Sequence, residues 1–280
     1  MLPAMLVVLV RIRMLIFSSN FFTCSFSFRG VLNEGGVAQH FVNVNETPTG
    51  TCAVLIVDKD RSMVTKLGAA EKFTDADFKS AEIQAAMKKA KLYFSTGFFL
   101  TVVPDSLVEM GKLSLEPGKR LLFNLAAPFV IKFFWNPLAE VLKYADVVFC
   151  NDAEAAVVGE VNNWGSDLDV IAEKLAHLPL AEGKKSRISV ITAGPESTIV
   201  YFNEKIYHFA PIKLRDEQIV DTNGAGDSFT GGFISQYLYH GMDKDLTEET
   251  LKRCIDAAHY AASKAISVVG CKFEGKPEFK

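Results

Sequence analysis

One stretch of the chain gathers residue types that can act chemically at a single point. Asp221–Phe233 reads DTNGAGDSFTGGF. Gly224 and Gly226 allow a tight turn with no Cβ in the way. The residues after them have helical spacing, so several backbone N–H groups converge at a helix N-terminus. The helix dipole adds about half a positive charge there. Such a hole suits a phosphate, or the charge that develops as a phosphoryl group moves. Asp227 stands at its mouth. A carboxylate there can take the proton from a hydroxyl that attacks a γ-phosphate, which is general-base work. Equally, it can cap its own helix, where Asp is favoured. No Lys-Ser or Lys-Thr pair follows the glycines, so this is not a Walker A loop. Nor does it open a first βαβ unit as a GxGxxG dinucleotide loop does.

A second constellation is Asn151 with Glu154. At i, i+3 on an opening helical turn they share a face, which permits joint action on a metal–phosphate group. Capping by Asn151 and a first-turn charge at Glu154 explain the pair as well.

These residues need a scaffold, and the pattern supplies one. Val37–Asn45, Thr51–Val57 and Ser62–Leu67 read as strands, with a Pro-Thr-Gly turn at Pro48–Gly50. Helix and strand then alternate. Helices are expected over Asp75–Lys91, Pro104–Lys112, Trp135–Tyr144, Ala153–Glu160 and Leu168–Leu178. Strands are expected over Leu92–Val102 (running into a loop), Arg120–Leu125, Asp146–Cys150 and Arg187–Thr192. Short apolar strands between helices predict an α/β fold, a mostly parallel sheet covered on both faces. Thr198–Asn203 and Lys205–Pro211 read as a hairpin, and two long helices, Gly226–His240 and Glu248–Val269, close the domain. In the last of these, Leu251, Cys254, Ile255, Ala258, Ala262, Ala265 and Val269 mark a buried face.

Composition narrows the function classes. The 280 residues are 49% hydrophobic, enough for one large core. Basic and acidic residues nearly balance, 30 against 33, without a basic stripe, so no nucleic-acid partner is expected. The five cysteines, Cys24, Cys52, Cys150, Cys254 and Cys271, include no close pair. That argues against a zinc site or disulfide framework and for a reducing compartment.

DTNGAGDSFTGGF resembles the C-terminal signature of the ribokinase-like (PfkB) carbohydrate and nucleoside kinases. Within that family, PTGTCAV (Pro48–Val54), GFFLTV (Gly97–Val102), NLAAPF (Asn124–Phe129), NDAEA (Asn151–Ala155) and HYAAS (His259–Ser263), with Gly270-Cys271, are similar to the adenosine kinase branch. The resemblance runs from about Val37 to Lys280. It implies a ribokinase-like sheet with a partial β lid within about 37–67, and ATP-dependent phosphorylation of adenosine at the ribose 5′-hydroxyl. Asp227 would then be the base. Asn223, Gly224, Ala225 and Gly226 would form the anion hole, with Thr192 and Gly194 near ATP. Arg61 would hold the transferring phosphate. Asn151 and Glu154 would support Mg²⁺ indirectly. Cys52, Met63, Thr65, Leu67, Phe98 and Phe129 would line the adenosine pocket. Asp221 and Asn223 lie where family members place a monovalent-cation loop. The resemblance further implies a monomer in the cytoplasm, with the nucleus as a second location. Other PfkB-type sugar kinases share the glycine loop, and a non-catalytic nucleotide-binding remnant is the third reading.

Residues 1–35 depart from that pattern. The family's opening strand, its substrate-contacting Asn/Asp segment and its Gly-Gly stretch are not visible there. Met1–Phe17 is apolar but interrupted by Arg11 and Arg13, too short for a confident membrane span and wrongly ordered for a signal peptide. An anchor, a buried strand and sequence foreign to the domain compete, and the foreign start is expected. On that reading the domain is residues 36–280, its first strands are missing and its activity is impaired.

Overall fold

The structure is a computed structural model. It describes residues 5–7, 12–17, 36–42, 44–57, 60–240, 246–269 and 279, with the backbone alone at 5–7, 12–17, 54–57 and 60–63. The chain forms two units, one of Met1–Val7 with Lys89–Lys280, the other of Val8–Lys88.

The larger unit is built on a seven-stranded sheet. β1 (Met5–Val7), β5 (Leu92–Thr96), β6 (Arg120–Asn124), β7 (Val147–Asn151), β8 (Ile188–Thr192), β9 (Thr198–Phe202) and β10 (Lys205–Phe209) lie in that order. β1 and β5 to β8 run parallel, and β9 and β10 turn back antiparallel. β6 and β7 carry unbroken apolar runs at their centres, and β8 is apolar but for buried Ser189 and its terminal Thr192, because both faces are covered. The hairpin turns at Asn203 and Glu204, both at positive φ (49° and 58°), as a two-residue turn matched to the strand twist requires.

Around this sheet stand α3 (Pro104–Leu113), α4 (Pro128–Leu142), α5 (Asp152–Asn162), α6 (Leu168–Ala176), α7 (Ala225–His240) and α8 (Glu248–Ala265), after α1 (Asp75–Phe78) and α2 (Ala81–Lys89) in the chain. α7 and α8 press Phe229, Phe233, Leu251, Cys254, Ile255 and Ala258 into one core with Phe149, Val190 and Val200 of the sheet. Phe149 and Phe233 meet edge to face at 5.1 Å. Gly232 permits the close approach of the two helices: a Cβ there would sit 2.4 Å from the Ala257 carbonyl oxygen.

At the sheet's opposite, amino-terminal edge, Arg187 is buried and donates to the carbonyls of Leu175, Ala176 and Leu178, and to Leu142 and Pro179. One guanidinium thus satisfies orphan carbonyls at the ends of both α4 and α6. Burial lowers its pKa to about 10, with Asp146 partly offsetting that.

The smaller unit carries a three-stranded sheet, β2 (Ile12–Phe17), β3 (Thr49–Val57) and β4 (Asp60–Gly68), in that order. β2 runs parallel to β3, and β4 antiparallel.

Several boundaries differ from the sequence reading. Two segments set aside as foreign, Met5–Val7 and Ile12–Phe17, pair as strands. An apolar run satisfies its backbone by joining a sheet edge. Within Val37–Asn45 the described residues form no strand; Val37 and Val42 are exposed and have no sheet to join. Asp75–Lys91 is broken at Lys79-Ser80, where a second helix begins at Ala81. α4 starts at Pro128, earlier than Trp135, and is kinked at Phe134 (φ −123°, ψ 25°). Pro137 cannot donate to the Phe133 carbonyl, which is what bends the helix. Ser18–Phe28 and Gly270-Cys271 lie outside the described residues.

Candidate active site

The parallel strands end on polar residues. Thr96 pairs in register with Asn124, and Asn151 with Thr192. This carboxyl edge is where open α/β sheets place their ligands. The segment leaving each of these strands carries a residue singled out by sequence. Phe98 lies in the short 3-10 turn Gly97–Thr101 after β5, and Phe129 in the first turn of α4 after β6. Asn151 and Glu154 open α5 after β7. Gly194 lies in the turn after β8, at φ 56°.

Phe98 and Phe129 are 42% and 46% exposed. Their centroids are 6.0 Å apart and the planes are tilted by 40°. An exposed, converging aromatic pair is a platform for a flat apolar group.

Asn151 is the N-cap of α5 and Glu154 its third residue. The Glu154 N–H donates to Asn151 Oδ1 at 2.8 Å. In return Glu154 accepts from the Asn151 N–H and from Asn151 Nδ2, each at 3.0 Å. The capping reading is therefore realised, and it fixes the carboxylate in one orientation. Glu154 is buried, and burial raises its pKa. The Asn151 donors oppose that rise, while the charges of Asp152 and Asp227 add to it. The Asp227 contribution ties α5 to the start of α7.

The glycine loop is anchored before it turns. The N–H groups of Val220 and Asp221 both donate to the Ile266 carbonyl. Asp221 Oδ1 accepts from the backbone and the side chain of Asn223, at 2.9 and 2.7 Å. Buried Asp221 and Asn223 thus form an Asx turn that delivers the chain to Gly224 at φ 75°. The first helical bond of α7 runs from Ser228 N–H to the Gly224 carbonyl. Ala225 N–H reaches back to Thr222, leaving those of Gly226 and Asp227 without an acceptor among the described residues. Nothing lies within 4 Å of where a Gly226 Cβ would be. Two N–H groups without an acceptor and free space beside Gly226 are what a helix start needs to receive an anion.

Asp227 is the third residue of α7, inside the helix and not its cap. The structure does not realise the capping alternative: among the described residues the Asp227 carboxylate accepts from no N–H of the helix start. Among the described residues it has no hydrogen-bond or ion-pair partner. The residue is open to solvent, yet enough protein crowds the carboxyl group to desolvate it and raise its pKa. A reachable, desolvated and unpaired carboxylate is suited to accept a proton.

Thr192 Oγ1 donates weakly to the Cys150 carbonyl at 3.4 Å, on the same rung as Asn151. In the smaller unit Cys52 and Thr65 are direct partners across β3 and β4, and Thr65 Oγ1 donates to Cys52 Sγ at 3.2 Å. Strand alternation puts Leu67 on the face of Thr65, and the backbone of Met63 falls in the same register. Arg61 is a backbone position opposite Ile56. The residues brought together in the larger unit are therefore Asn151, Glu154, Thr192 and the glycine loop. Cys52, Thr65 and Leu67 are brought together in the smaller.

Among the described residues no group of three or more His, Cys, Asp or Glu side chains could hold a metal ion. Cys52, Cys150 and Cys254 are free and buried, and Cys24 and Cys271 lie outside the described residues. No helix described is long and apolar enough to cross a membrane. Sequence reading missed Asn124, whose side-chain oxygen accepts from the Ala126 N–H at 2.8 Å. The Asn-x-Ala spacing of an Asx turn was the available signal.

Known proteins resemble this chain in sequence and in fold. The chain is 44% identical over 233 residues to the adenosine kinase of Dictyostelium discoideum, spanning 83% of this chain and 66% of that protein. It is 37% identical over 245 residues to adenosine kinase 2 of Arabidopsis thaliana, spanning 87% and 69%. Among solved structures, adenosine kinase of Anopheles gambiae in complex with P1,P4-di(adenosine-5) tetraphosphate superposes with a TM-score of 0.81 at 34% identity, covering 96% of this chain and 76% of that one. Adenosine kinase of Schistosoma mansoni with 2-fluoroadenosine gives 0.79 at 30% identity, covering 94% and 75%. The pfkB family carbohydrate kinase pattern matches residues 22–278, so it takes in residues 22–35 as well as the stretch from Val37. With the glycine loop, its aspartate and this match across nearly the whole length, the chain belongs to the pfkB family of carbohydrate kinases.

Proposed function

We propose that this chain transfers the γ-phosphoryl group of ATP to the 5′-hydroxyl of adenosine, giving AMP and serving purine salvage. The observation that carries the reading is Asp227, unpaired and desolvated beside two unclaimed N–H groups of Gly226 and Asp227.

That geometry supports the following chemistry. Asp227 accepts the proton of the attacking hydroxyl. Gly226 and Asp227 N–H groups, with the α7 dipole, receive negative charge on the phosphoryl oxygens. Asn223, Gly224 and Ala225 shape the turn that aims them. Thr192 and Gly194 border the same carboxyl edge and belong to the ATP side. Phe98 and Phe129 stack on the purine, which a bare sugar lacks, so the pair favours a nucleoside over ribose or fructose. By their match to the family pattern, Cys52, Met63, Thr65 and Leu67 are assigned to nucleoside contact and Arg61 to the transferring phosphate.

The residues present also suit magnesium. Glu154 has both oxygens engaged by Asn151 and its negative charge adds to that of Asp227. Remaining lone pairs can accept from water on a cation held chiefly by the nucleotide. Bound there, Mg²⁺ would neutralise charge on the β- and γ-phosphates. Asn151 fixes the Glu154 carboxylate for that contact. We further place the enzyme, as a monomer, in the cytoplasm and nucleus, in keeping with cysteines that include no close pair.

The test is a phosphorylation assay of the purified chain with adenosine, ribose and fructose, alongside Asp227→Ala. Adenosine should be the preferred acceptor. Asp227→Ala should lower kcat by about 10²- to 10⁴-fold. Equal turnover of ribose, or residual full activity in Asp227→Ala, overturns the reading.

A further inference from the structure

The turn that leads from β6 into α4 is strained in a way its sequence does not require. Ala126 has φ 74°, the left-handed region that favours glycine. The Ala127 N–H donates to the Leu125 carbonyl at 3.0 Å, closing a three-residue turn around Ala126. A γ-turn with a positive central φ is the rare and strained form. Strain of this kind persists only where surrounding contacts over-determine it, and it concentrates at ligand clamps.

Three contacts hold this turn. Asn124 Oδ1 accepts from the Ala126 N–H at 2.8 Å. The Leu125 N–H donates to the Phe149 carbonyl at 2.9 Å, tying the turn to β7. From the other side, Gly97 lies so close that a Cβ on it would be 2.4 Å from the Leu125 carbonyl oxygen and 3.1 Å from Val130 Cγ1. Gly97 immediately precedes Phe98. The γ-turn, through Ala127 and Pro128, immediately precedes Phe129. Backbone contact between Gly97 and Leu125 therefore locks together the two segments that carry the exposed rings.

We infer that the Asn124–Ala126 turn sets the spacing of the Phe98–Phe129 aromatic pair, making Asn124 a positioning residue for the nucleoside base. This rests on the adenosine reading of the site. Asn124 contributes through the turn, not by touching the base. Ala at the strained position serves the same end: glycine would fit the dihedral with less strain but would let the turn move. The stiffness keeps the rings at a separation that needs no reordering when a flat base arrives, which is preorganisation.

The test compares wild type with Asn124→Ala, Asn124→Asp and Ala126→Gly. It measures adenosine binding by calorimetry, KM for adenosine and for ATP, kcat, and thermal melting. Asn124→Ala removes the side-chain acceptor and should weaken adenosine binding about tenfold. KM for ATP and kcat at saturation should stay near wild type. Asn124→Asp keeps the acceptor and should recover most of the affinity. Ala126→Gly should melt no lower than wild type, because strain is relieved, yet should also raise KM for adenosine several-fold. A purely structural turn differs at Ala126→Gly: it predicts unchanged adenosine affinity with an equal or higher melting temperature. That result overturns the inference even if Asn124→Ala fails to fold. Failure of wild type to bind adenosine overturns the functional reading, and this inference with it.

Discussion

Glu154 and Asp227 each occupy the third position of a helix, α5 and α7, and the charge of Asp227 helps to raise the pKa of Glu154. Two acids, one of which disfavours the other's ionisation, stand near N–H groups that have no acceptor among the described residues. Separate, each is an ordinary first-turn carboxylate. Together they suit the proposed magnesium contact, where a cation brought with phosphate would relieve the repulsion on Glu154.

Glu154→Gln probes that pair. It removes one charge while keeping the shape and one acceptor for Asn151. The Mg²⁺ concentration needed for half-maximal rate should rise by about tenfold, matching loss of a charge-assisted contact. An unchanged magnesium titration counts against an electrostatic role for Glu154.

Asp227→Asn separates chemistry from stability. Burial raises the folded pKa of Asp227, so the folded state disfavours its charged form. Ionisation therefore costs stability above the folded pKa, and that cost disappears as pH falls below the unfolded value. Asp227→Asn should melt higher than wild type at neutral pH, and the difference should shrink in acid. Activity should fall at the same time. Melting curves at several pH values check the sign; a lower melting temperature for the variant at neutral pH rejects it.

Much of this could be read from the residues alone. The alternation of apolar strands and helices from Leu92 to Thr192 is legible because each strand is buried on both faces and so is largely apolar. The start at Trp135 was misplaced and the break at Lys79-Ser80 was missed, each for a physical reason. Pro137 masks a helix that survives its kink, and Ser80 conceals a restart. Local rules could not decide the role of Asp227. Cap and first-turn residue look alike until the path of the chain through Gly224 is known. The link between Gly97 and Leu125 was illegible too, because it joins two backbones whose residue types reveal nothing of their distance.

His259 predicts acid sensitivity of the core. Its Nε2 lies 2.9 Å from Thr198 Oγ1 and its ring meets Phe229 edge to face at 5.5 Å. Burial lowers its pKa below the ordinary 6.5. The group is neutral in the fold, so its contribution is present above about 6.5 and is lost as pH falls toward the lowered folded value. Urea midpoints should decline over that window, and His259→Gln should flatten the decline. A wild-type midpoint that holds steady from neutral pH down through that window contradicts the assignment.

The paired glycines of α7 should respond in opposite ways. Gly232→Ala forces a Cβ against the Ala257 carbonyl and Ala258 Cα, at 2.4 and 2.8 Å, and should cost about 1–3 kcal/mol. Nothing lies within 4 Å of a Cβ on Gly231, which is exposed. Gly231→Ala should therefore gain up to about 1 kcal/mol from helix propensity. Denaturant unfolding of the two variants tests both directions together.

The strand order from β5 to β8 also sets a timetable. Each of these strands pairs with the one made just before it, so the rungs Thr96–Asn124 and Asn151–Thr192 can form as the chain lengthens. Asp227 is synthesised only after both rungs exist. The residue proposed as the base therefore joins last, when α7 and α8 pack against the sheet.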